Sequence, residues 1–343
     1  MSAPPLDPAP IFRTGMGFFQ SRTLLSAVEL GVFTALGGER LTEAELCRRV
    51  GLHRRAAADF LDALVALGFL AREGDGAAAR YANTPETAAF LDRASPSYVG
   101  SILAMAGQRL YRHWADLTEA LRTGSPQNET KGTPAAEPFA ALYADPARLV
   151  QFVDAMASRQ AGNFRLLAER FDFGRFGTVC DVGGASGACS IAIARRHQAV
   201  CCISYDLAPV TAVARERIAM AGLAGRVEAR AGDFMAETLP PADVVLMGNI
   251  LHDWDAPTKR MLIGKVREAL RPGGAFIAIE DVIDDARRAN AVGLLMSLNM
   301  LIETSGGSNF TFSEFAGWCR EGGFARTEAL ALEGTSSAAI AWT

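Results

Sequence analysis

Histidine and lysine are scarce in this chain, with four of the first and three of the second (Lys131, Lys259, Lys265) in 343 residues. His53, His113, His197 and His252 share no spacing that would bring two of them to one ion, so we expect no metal site. Arginine supplies nearly all the positive charge and still leaves a net charge of −4, which argues against a nucleic-acid partner. The six cysteines, Cys47, Cys180, Cys189, Cys201, Cys202 and Cys319, form no CxxC pair. Most sit in apolar runs and read as reduced, buried thiols. No run of about 18 residues is both uncharged and strongly apolar, so no membrane span is expected. The opening Met-Ser-Ala-Pro-Pro-Leu-Asp-Pro has neither the basic stretch nor the apolar run of a secretory leader. A cytoplasmic protein is the expectation.

Apolar residues make up 50% of the chain and charged ones 21%, an ordinary globular balance for a length of about two domains. From about 17 to 122 the apolar pattern is helical, with Leu24, Leu25, Val28, Leu30, Val32 and Leu36 at three- and four-residue spacings. Thr42-Glu-Ala-Glu reads as a capping box. A second helix carries Ala57, Phe60, Leu61, Leu64, Val65 and Leu67, and residues 69–82 read as a hairpin with a Gly/Asp tip. Helix, helix, helix and hairpin is a winged-helix pattern, which serves either DNA binding or dimerisation. Residues 1–100 hold ten arginines, no lysine and eleven carboxylates, a net −1, so the basic face that phosphates require is missing. Apolar Ile11, Phe12, Phe18 and Phe19 fit no obvious intradomain stripe and point to a homodimer. Residues 123–147, rich in Pro, Gly, Ser and Thr, read as a connection, followed by a helix over 146–171.

From Thr178 strands and helices alternate, which predicts a parallel, doubly wound sheet with near-continuous apolar strands. Strands are expected at 178–182, 200–206, 226–231, 242–248 and 274–280. The Pro-Gly-Gly before the last of these reads as a turn. Two final strands, 326–332 and 337–342, give the sheet an antiparallel end.

The chemistry-bearing residues cluster at strand ends. Asp181-Val-Gly-Gly-Ala-Ser-Gly187 links a strand directly to a helix, where glycines let backbone N–H groups approach a ligand. Gly183, Gly184 and Gly187 read GGxxG rather than the GxGxxG of a nicotinamide site. Asp206, at the end of the next strand, is placed to accept ribose hydroxyls. Asp233 can accept from an adenine amino group, with Phe234 against the ring. His252, in Gly248-Asn-Ile-Leu-His-Asp-Trp254, leaves the sheet beside these groups, and an imidazole is suited to taking a proton near neutral pH.

This set, in this order, resembles the plant- and actinobacterial-type small-molecule O-methyltransferases, which are class I S-adenosylmethionine enzymes. The resemblance rests on DVGGASG at 181–187, Asp206, AGDF at 231–234, LHDWD at 251–255, LRPGG at 270–274 and the glycine pair at 306–307, and it covers nearly the whole chain. It implies an α/β fold: a Rossmann-like class I methyltransferase domain with an N-terminal, mainly helical, winged-helix-like dimerisation domain. The boundaries expected are 1–122 for that domain, 123–172 for a connection and linking helix, and 173–343 for the catalytic domain. The implied cofactor is S-adenosylmethionine, contacted by Asp181, Gly183, Gly184, Asp206, Leu207, Gly232, Asp233, Phe234 and Asn249. The implied base is His252, with Asp253 and Glu280 beside it.

Two departures stand out. The acid that family members place after the glycine pair is Asn309 here, and the lysine many carry before the histidine is replaced in the Gly248-Asn249 region. Glu280 matches another family acid and can stand in for the first. Residues expected to reach the acceptor are Met296, Asn299, Met300 and Glu303 on one helix, Met156 and Arg159 on another, Asn309, and Tyr111 and Arg112 from the other domain. The function expected is phenolic O-methylation of a small hydroxylated aromatic in secondary (antibiotic) metabolism. Two alternatives stay open: C-methylation ortho to a phenol in an amino-acid-like substrate such as 3-hydroxykynurenine or tyrosine, and a winged-helix regulator with a degenerate methyltransferase domain.

Overall fold

The computed structural model describes residues 6–132 and 145–343. Residues 133–144, inside the segment expected to connect the two halves, lie outside the described residues. The chain divides into two compact units, Met1–Arg112 and His113–Thr343. No helix among the described residues is long and apolar enough to cross a membrane.

The first unit is mainly helical. Helices α1 (Ala9–Gly15), α2 (Gly17–Leu30), α3 (Val32–Leu36), α4 (Glu43–Val50), α5 (Arg54–Ala66), α6 (Pro85–Phe90) and α7 (Gly100–Met105) accompany a small antiparallel sheet. The expected hairpin is β2 (Leu70–Glu73) and β3 (Arg80–Asn83), and β1 (Leu41–Thr42) adds a third strand by pairing Leu41 with Tyr81. Two residues are too few to leave an alternation, so the sequence reading missed β1. Thr42 then opens α4 through the expected capping box with Glu45. Val32, Phe33, Leu36, Leu46, Leu61 and Leu64 close the core. On α1 and α2, Ile11, Phe12, Phe18 and Phe19 stay outside it, each about half exposed or more.

The second unit is built on a seven-stranded sheet in the order β6-β5-β4-β7-β8-β10-β9. Its strands are β4 (Thr178–Val182), β5 (Cys201–Asp206), β6 (Val227–Ala231), β7 (Ala242–Gly248), β8 (Leu270–Glu280), β9 (Arg326–Ala331) and β10 (Ser337–Trp342). Strands β6, β5, β4, β7 and β8 are mutually parallel, and β10 pairs antiparallel with both β8 and β9. This is the Rossmann-like sheet expected, antiparallel end included. Along β7, Val244 and Leu246 pack on one face while Val245 and Met247 pack on the other. Both faces are covered, which is why the strand reads as an unbroken apolar run.

Helices α8 (Leu117–Thr123), α9 (Pro146–Arg170), α10 (Ala188–Arg196), α11 (Ala208–Met220), α12 (Ala256–Ala269), α13 (Ala291–Glu303) and α14 (Phe312–Glu321) complete the unit. Two expectations need correction. Leu270 already pairs with Ala242, so β8 begins before Pro272, and regular pairing resumes at Ala275 with Val244. The Pro-Gly-Gly is an irregularity inside the strand, where a Cβ on Gly274 would lie 2.5 Å from the Asp243 carbonyl oxygen. The segment read as a plain connection also docks: Gln127 donates its backbone N–H to the Ile302 carbonyl, and the Asn128 side chain donates to that of Glu303. Those carbonyls belong to the last turn of α13, where helix carbonyls lack internal partners.

Candidate active site

The strand order reverses between β4 and β7, which is where open α/β sheets bind ligands, outside the carboxyl ends of the strands. A cavity of about 330 Å³ sits there. The turn after β4, the end of β5, the loop after β6 and the loop after β7 supply its walls, and α9 closes it with Phe152, Met156, Gln160 and Phe164. Asp181, Gly183, Gly184, Asp206, Leu207, Asp233, Phe234 and Asn249 all line it. Gly232 does not: it lies beneath the Tyr205 ring, whose hydroxyl would sit 2.1 Å from a Cβ at that position.

The turn is shaped for close approach. Gly183 has φ +68°, and a Cβ on it would come within 2.3 Å of Ile250 Cδ1. Gly184 faces Ser204 Oγ at 2.4 Å in the same sense. A side chain at either position would displace these neighbours, and the positive φ of Gly183 by itself favours glycine. Asp206 accepts from the Ala185 N–H at 2.9 Å through one oxygen and from the Leu207 N–H at 2.7 Å through the other. A carboxylate offers roughly four acceptor positions, so Asp206 retains capacity for ligand hydroxyls. Burial raises its pKa to about 6, against the two backbone N–H bonds that favour the ionised form. Burial likewise raises Asp181 to about 7, although Ser190 donates to its carboxylate. Both groups border the cavity, so a cationic ligand would find carboxylates it can re-ionise. Trp254, also in the wall, keeps a buried indole N–H with no partner among the described residues. A glycine cradle, an acid at the end of β5 and an unpartnered donor fit a nucleoside bearing a positive charge.

His252 lies in the short turn Leu251–Asp253 after β7 and is 7% exposed. Its Nδ1 is 2.5 Å from Glu280 Oε2, and its backbone N–H donates to Glu280 Oε1 at 3.3 Å. Glu280 ends β8, the strand next to β7, so sheet register delivers the acid to the imidazole. The Nδ1 contact assigns the neutral ring its proton on Nδ1 and leaves Nε2 as acceptor. Asp253 Oδ1 stands 3.4 Å from Nε2 and lines the cavity. Burial alone would lower the His252 pKa, but the Glu280 and Asp253 carboxylates outweigh it and raise it to about 9. Asp253 is raised to about 7, chiefly by its own burial.

The remaining candidates divide. Met156 lines the cavity, whereas Arg159, Met296, Asn299, Met300, Glu303 and Asn309 do not. Arg159 is committed to the buried Asp281 at 2.6 Å, and its other nitrogen approaches the Met296 sulfur at 3.9 Å. Asn299 finds its partner in the Trp114 indole N–H at 2.8 Å rather than in a ligand. Met300 is core, 5% exposed. Asn309 is buried and donates to the Asp281 carbonyl at 2.9 Å, one residue beyond Glu280. Glu303 is close enough to Asp253 to hold the latter's pKa up. Tyr111 and Arg112 end the first unit, where the Tyr111 hydroxyl donates to the Phe18 carbonyl. The sequence reading named Met156 on α9 but not Phe152, Gln160 and Phe164, which line the cavity with it. A signal was present, since Leu149, Val153, Met156 and Gln160 keep helical spacing, but periodicity does not separate a cavity wall from core.

Comparison with known proteins places these features. The O-methyltransferase domain model matches residues 114–325 and the O-methyltransferase dimerisation domain model matches residues 12–93. The chain is 39% identical over 333 residues to the tetracenomycin polyketide synthesis 8-O-methyl transferase of Streptomyces glaucescens, covering 97% of this chain and 96% of that protein. It is 35% identical over 323 residues to the 3-hydroxy-5-methyl-1-naphthoate 3-O-methyltransferase of Streptomyces sahachiroi, covering 93% and 91%. The crystal structure of human N-acetylserotonin methyltransferase in complex with S-adenosylmethionine superposes with a TM-score of 0.91 at 29% identity, covering 100% of this chain and 99% of that one.

Proposed function

This chain belongs to the O-methyltransferase family, and from that premise we propose that it transfers a methyl group from S-adenosylmethionine to a phenolic oxygen of a small polycyclic aromatic, with His252 as general base. The observation that carries the reading is the buried His252–Glu280 pair beside a cavity suited to a cationic nucleoside. The bound cofactor supplies a methyl carbon on a positively charged sulfur, which leaves with the bonding electron pair. His252 Nε2 takes the phenol proton as the oxygen forms its bond to that carbon. Glu280 holds Nδ1–H, fixes the ring and balances the imidazolium that results. With its pKa raised to about 9, His252 is mostly protonated near pH 7, and the neutral ring that can take a phenol proton becomes the major form only as pH rises through that value.

The cofactor's ribose is assigned to Asp206, its adenine to Asp233 and Phe234, and its charged end to the turn at 183–187 with Asp181. The two raised carboxyls set a pH dependence. Without ligand, Asp181 and Asp206 hold protons more tightly than an unfolded chain would, so their stabilising contribution is full below about pH 4 and is lost as pH rises through about 6 to 7. A cation re-ionises them. Titrating S-adenosylmethionine at pH 6.5 in buffers of different ionisation heat should therefore show proton release, and affinity should rise between pH 5.5 and pH 8. Proton uptake would remove these carboxylates from the site.

Glu280 supplies the carboxylate that Asn309 lacks, so His252 can take a phenol proton, which serves attack through oxygen or through the ortho carbon alike. Oxygen is preferred because both relatives are O-methyltransferases, and because Arg159, whose charge an amino-acid-like acceptor would use, is already paired with Asp281. The two relatives are named for tetracenomycin polyketide synthesis and for 3-hydroxy-5-methyl-1-naphthoate, and a fused-ring phenol is the acceptor class proposed here. Incubation of the protein with methyl-13C cofactor and a panel of hydroxynaphthalenes, hydroxyanthraquinones and hydroxylated aromatic amino acids, read by NMR, tests this. A methoxy carbon is expected. A ring-bound methyl would overturn the oxygen assignment.

The first unit is assigned to homodimerisation through the exposed apolar residues of α1 and α2. Light scattering at micromolar concentration should give twice the chain mass, and Phe12→Asp with Phe18→Asp should halve it. A wild-type monomer would refute the assignment.

A further inference from the structure

Two of the three lysines in this chain, Lys259 and Lys265, stand on α12, the helix that follows the His252 loop. Both aim at backbone carbonyls. Lys259 is 1% exposed, and its Nζ donates to the Trp254 carbonyl at 2.5 Å and to Ser308 Oγ at 3.4 Å. The rings of Phe310 and Trp318 lie 5.9 Å from the ammonium, close enough for their faces to offset part of its lost hydration. Lys265 Nζ donates to the Phe234 carbonyl at 2.6 Å and to that of Met235 at 2.9 Å. Trp254 and Phe234 are cavity walls on two different loops, and their rings meet edge to face at 6.4 Å.

Burying an ammonium is costly, and an apolar side chain of the same length is generally tolerated at least as well. A fully buried lysine whose ammonium donates to a loop carbonyl at 2.5 Å and a hydroxyl at 3.4 Å calls for a reason beyond stability. We infer that Lys259 and Lys265 are positioning residues forming a two-point clamp, in which Lys259 fixes the loop that carries His252, Asp253 and Trp254 while Lys265 fixes the loop that carries Asp233 and Phe234. Lysine suits the task because its ammonium is a compact group of three N–H donors on a flexible stem. By this account the two lysines have separable effects: Lys259 serves methyl transfer, and Lys265 serves the adenine end of the cofactor site. The catalytic part of the inference rests on the function proposed above. The clamp itself does not.

Hydrogen–deuterium exchange on the full-length protein with S-adenosylhomocysteine bound tests the clamp without any turnover. Lys259→Met should speed exchange over 251–256 by about tenfold and leave 231–236 as in wild type, and Lys265→Met should do the reverse. Lys259→Gln, which keeps an N–H donor, should fall between Lys259→Met and wild type. Unchanged exchange over 251–256 in Lys259→Met, or equal loosening of both loops in both variants, would overturn the clamp. In turnover with the acceptor that responds best in the phenol panel, Lys259→Met should lower kcat roughly 10–100-fold with KM for S-adenosylmethionine unchanged. Lys265→Met should instead raise that KM. A loosened 251–256 loop with wild-type kcat would overturn the positioning role of Lys259. If wild type transfers no methyl group while the two-loop exchange pattern holds, the clamp stands and the methyl-transfer reading falls.

Discussion

Replacing His252 by alanine is expected to lower kcat by roughly 10²–10⁴-fold while leaving S-adenosylhomocysteine affinity as in wild type. The separation follows from geometry. His252 is absent from the wall of the cavity assigned to the cofactor, whereas Asp253 and Trp254, the next two residues, belong to it. The imidazole is therefore adjacent to the nucleoside site without helping to form it. The size of the loss follows from chemistry. A phenol of pKa about 10 is almost wholly protonated at neutral pH, so without a base the reaction draws on a minor phenolate fraction. What survives is the rate due to proximity alone. Calorimetry with S-adenosylhomocysteine and single-turnover kinetics on the same preparation check both halves. Near-normal turnover would mean that holding the two reactants together suffices.

Glu280→Gln is expected to cost a comparable factor, roughly 10²–10⁴, although it changes only the character of one buried group. An amide beside Nδ1 can present its N–H and take the Nδ1 lone pair, which forces the imidazole proton onto Nε2 and leaves nothing to receive the phenol proton. Glu280→Asp keeps the charge and should lose less. Stability responds in a definite direction. The His252 pKa is raised to about 9 in the folded chain against 6.5 as its ordinary value, so the pair stabilises fully below about pH 6.5 and loses that contribution as pH rises through 9. The melting-temperature gap between wild type and Glu280→Gln should accordingly narrow from pH 7 to pH 9.5. A gap that widens over that range would mean the carboxylate does not hold the imidazolium.

The order of strands and helices in the catalytic unit was legible because each local signal agreed with the fold. Apolar runs marked buried strands, and glycines marked the turn at 183–187. The positions of Asp181, Asp206, Asp233 and His252 followed, since strand ends of a doubly wound sheet converge on one edge. Other features were not legible because they depend on who meets whom in space. Arg159 and Asn299 carry polar groups that suit a ligand, yet Asp281 takes one guanidinium nitrogen and Trp114 occupies the amide oxygen, both from far away in sequence. Glu280 was a stand-in by motif, and only the pairing of β7 with β8 delivers its carboxylate to His252. The scarcity of lysine pointed to no function in the sequence alone. Burial of Lys259 and the carbonyls gripped by Lys265 give that scarcity a structural use. Strand β1 and the docking of Gln127 and Asn128 left no periodic trace at all.

The central claim is that the buried His252–Glu280 pair removes the phenol proton, and the pH dependence of single-turnover methyl transfer tests it most directly. The measurement calls for saturating cofactor and an acceptor whose own phenol ionises near pH 10. The account predicts a rate that rises about tenfold per pH unit from pH 6 and levels off at or below about 9, because protonated His252 is inactive and the cofactor's positive charge can only lower its pKa. His252→Ala should lose that plateau and follow the phenol's ionisation to higher pH. A wild-type rate that is flat from pH 6 to 9.5, or one that tracks His252→Ala throughout, would contradict the account.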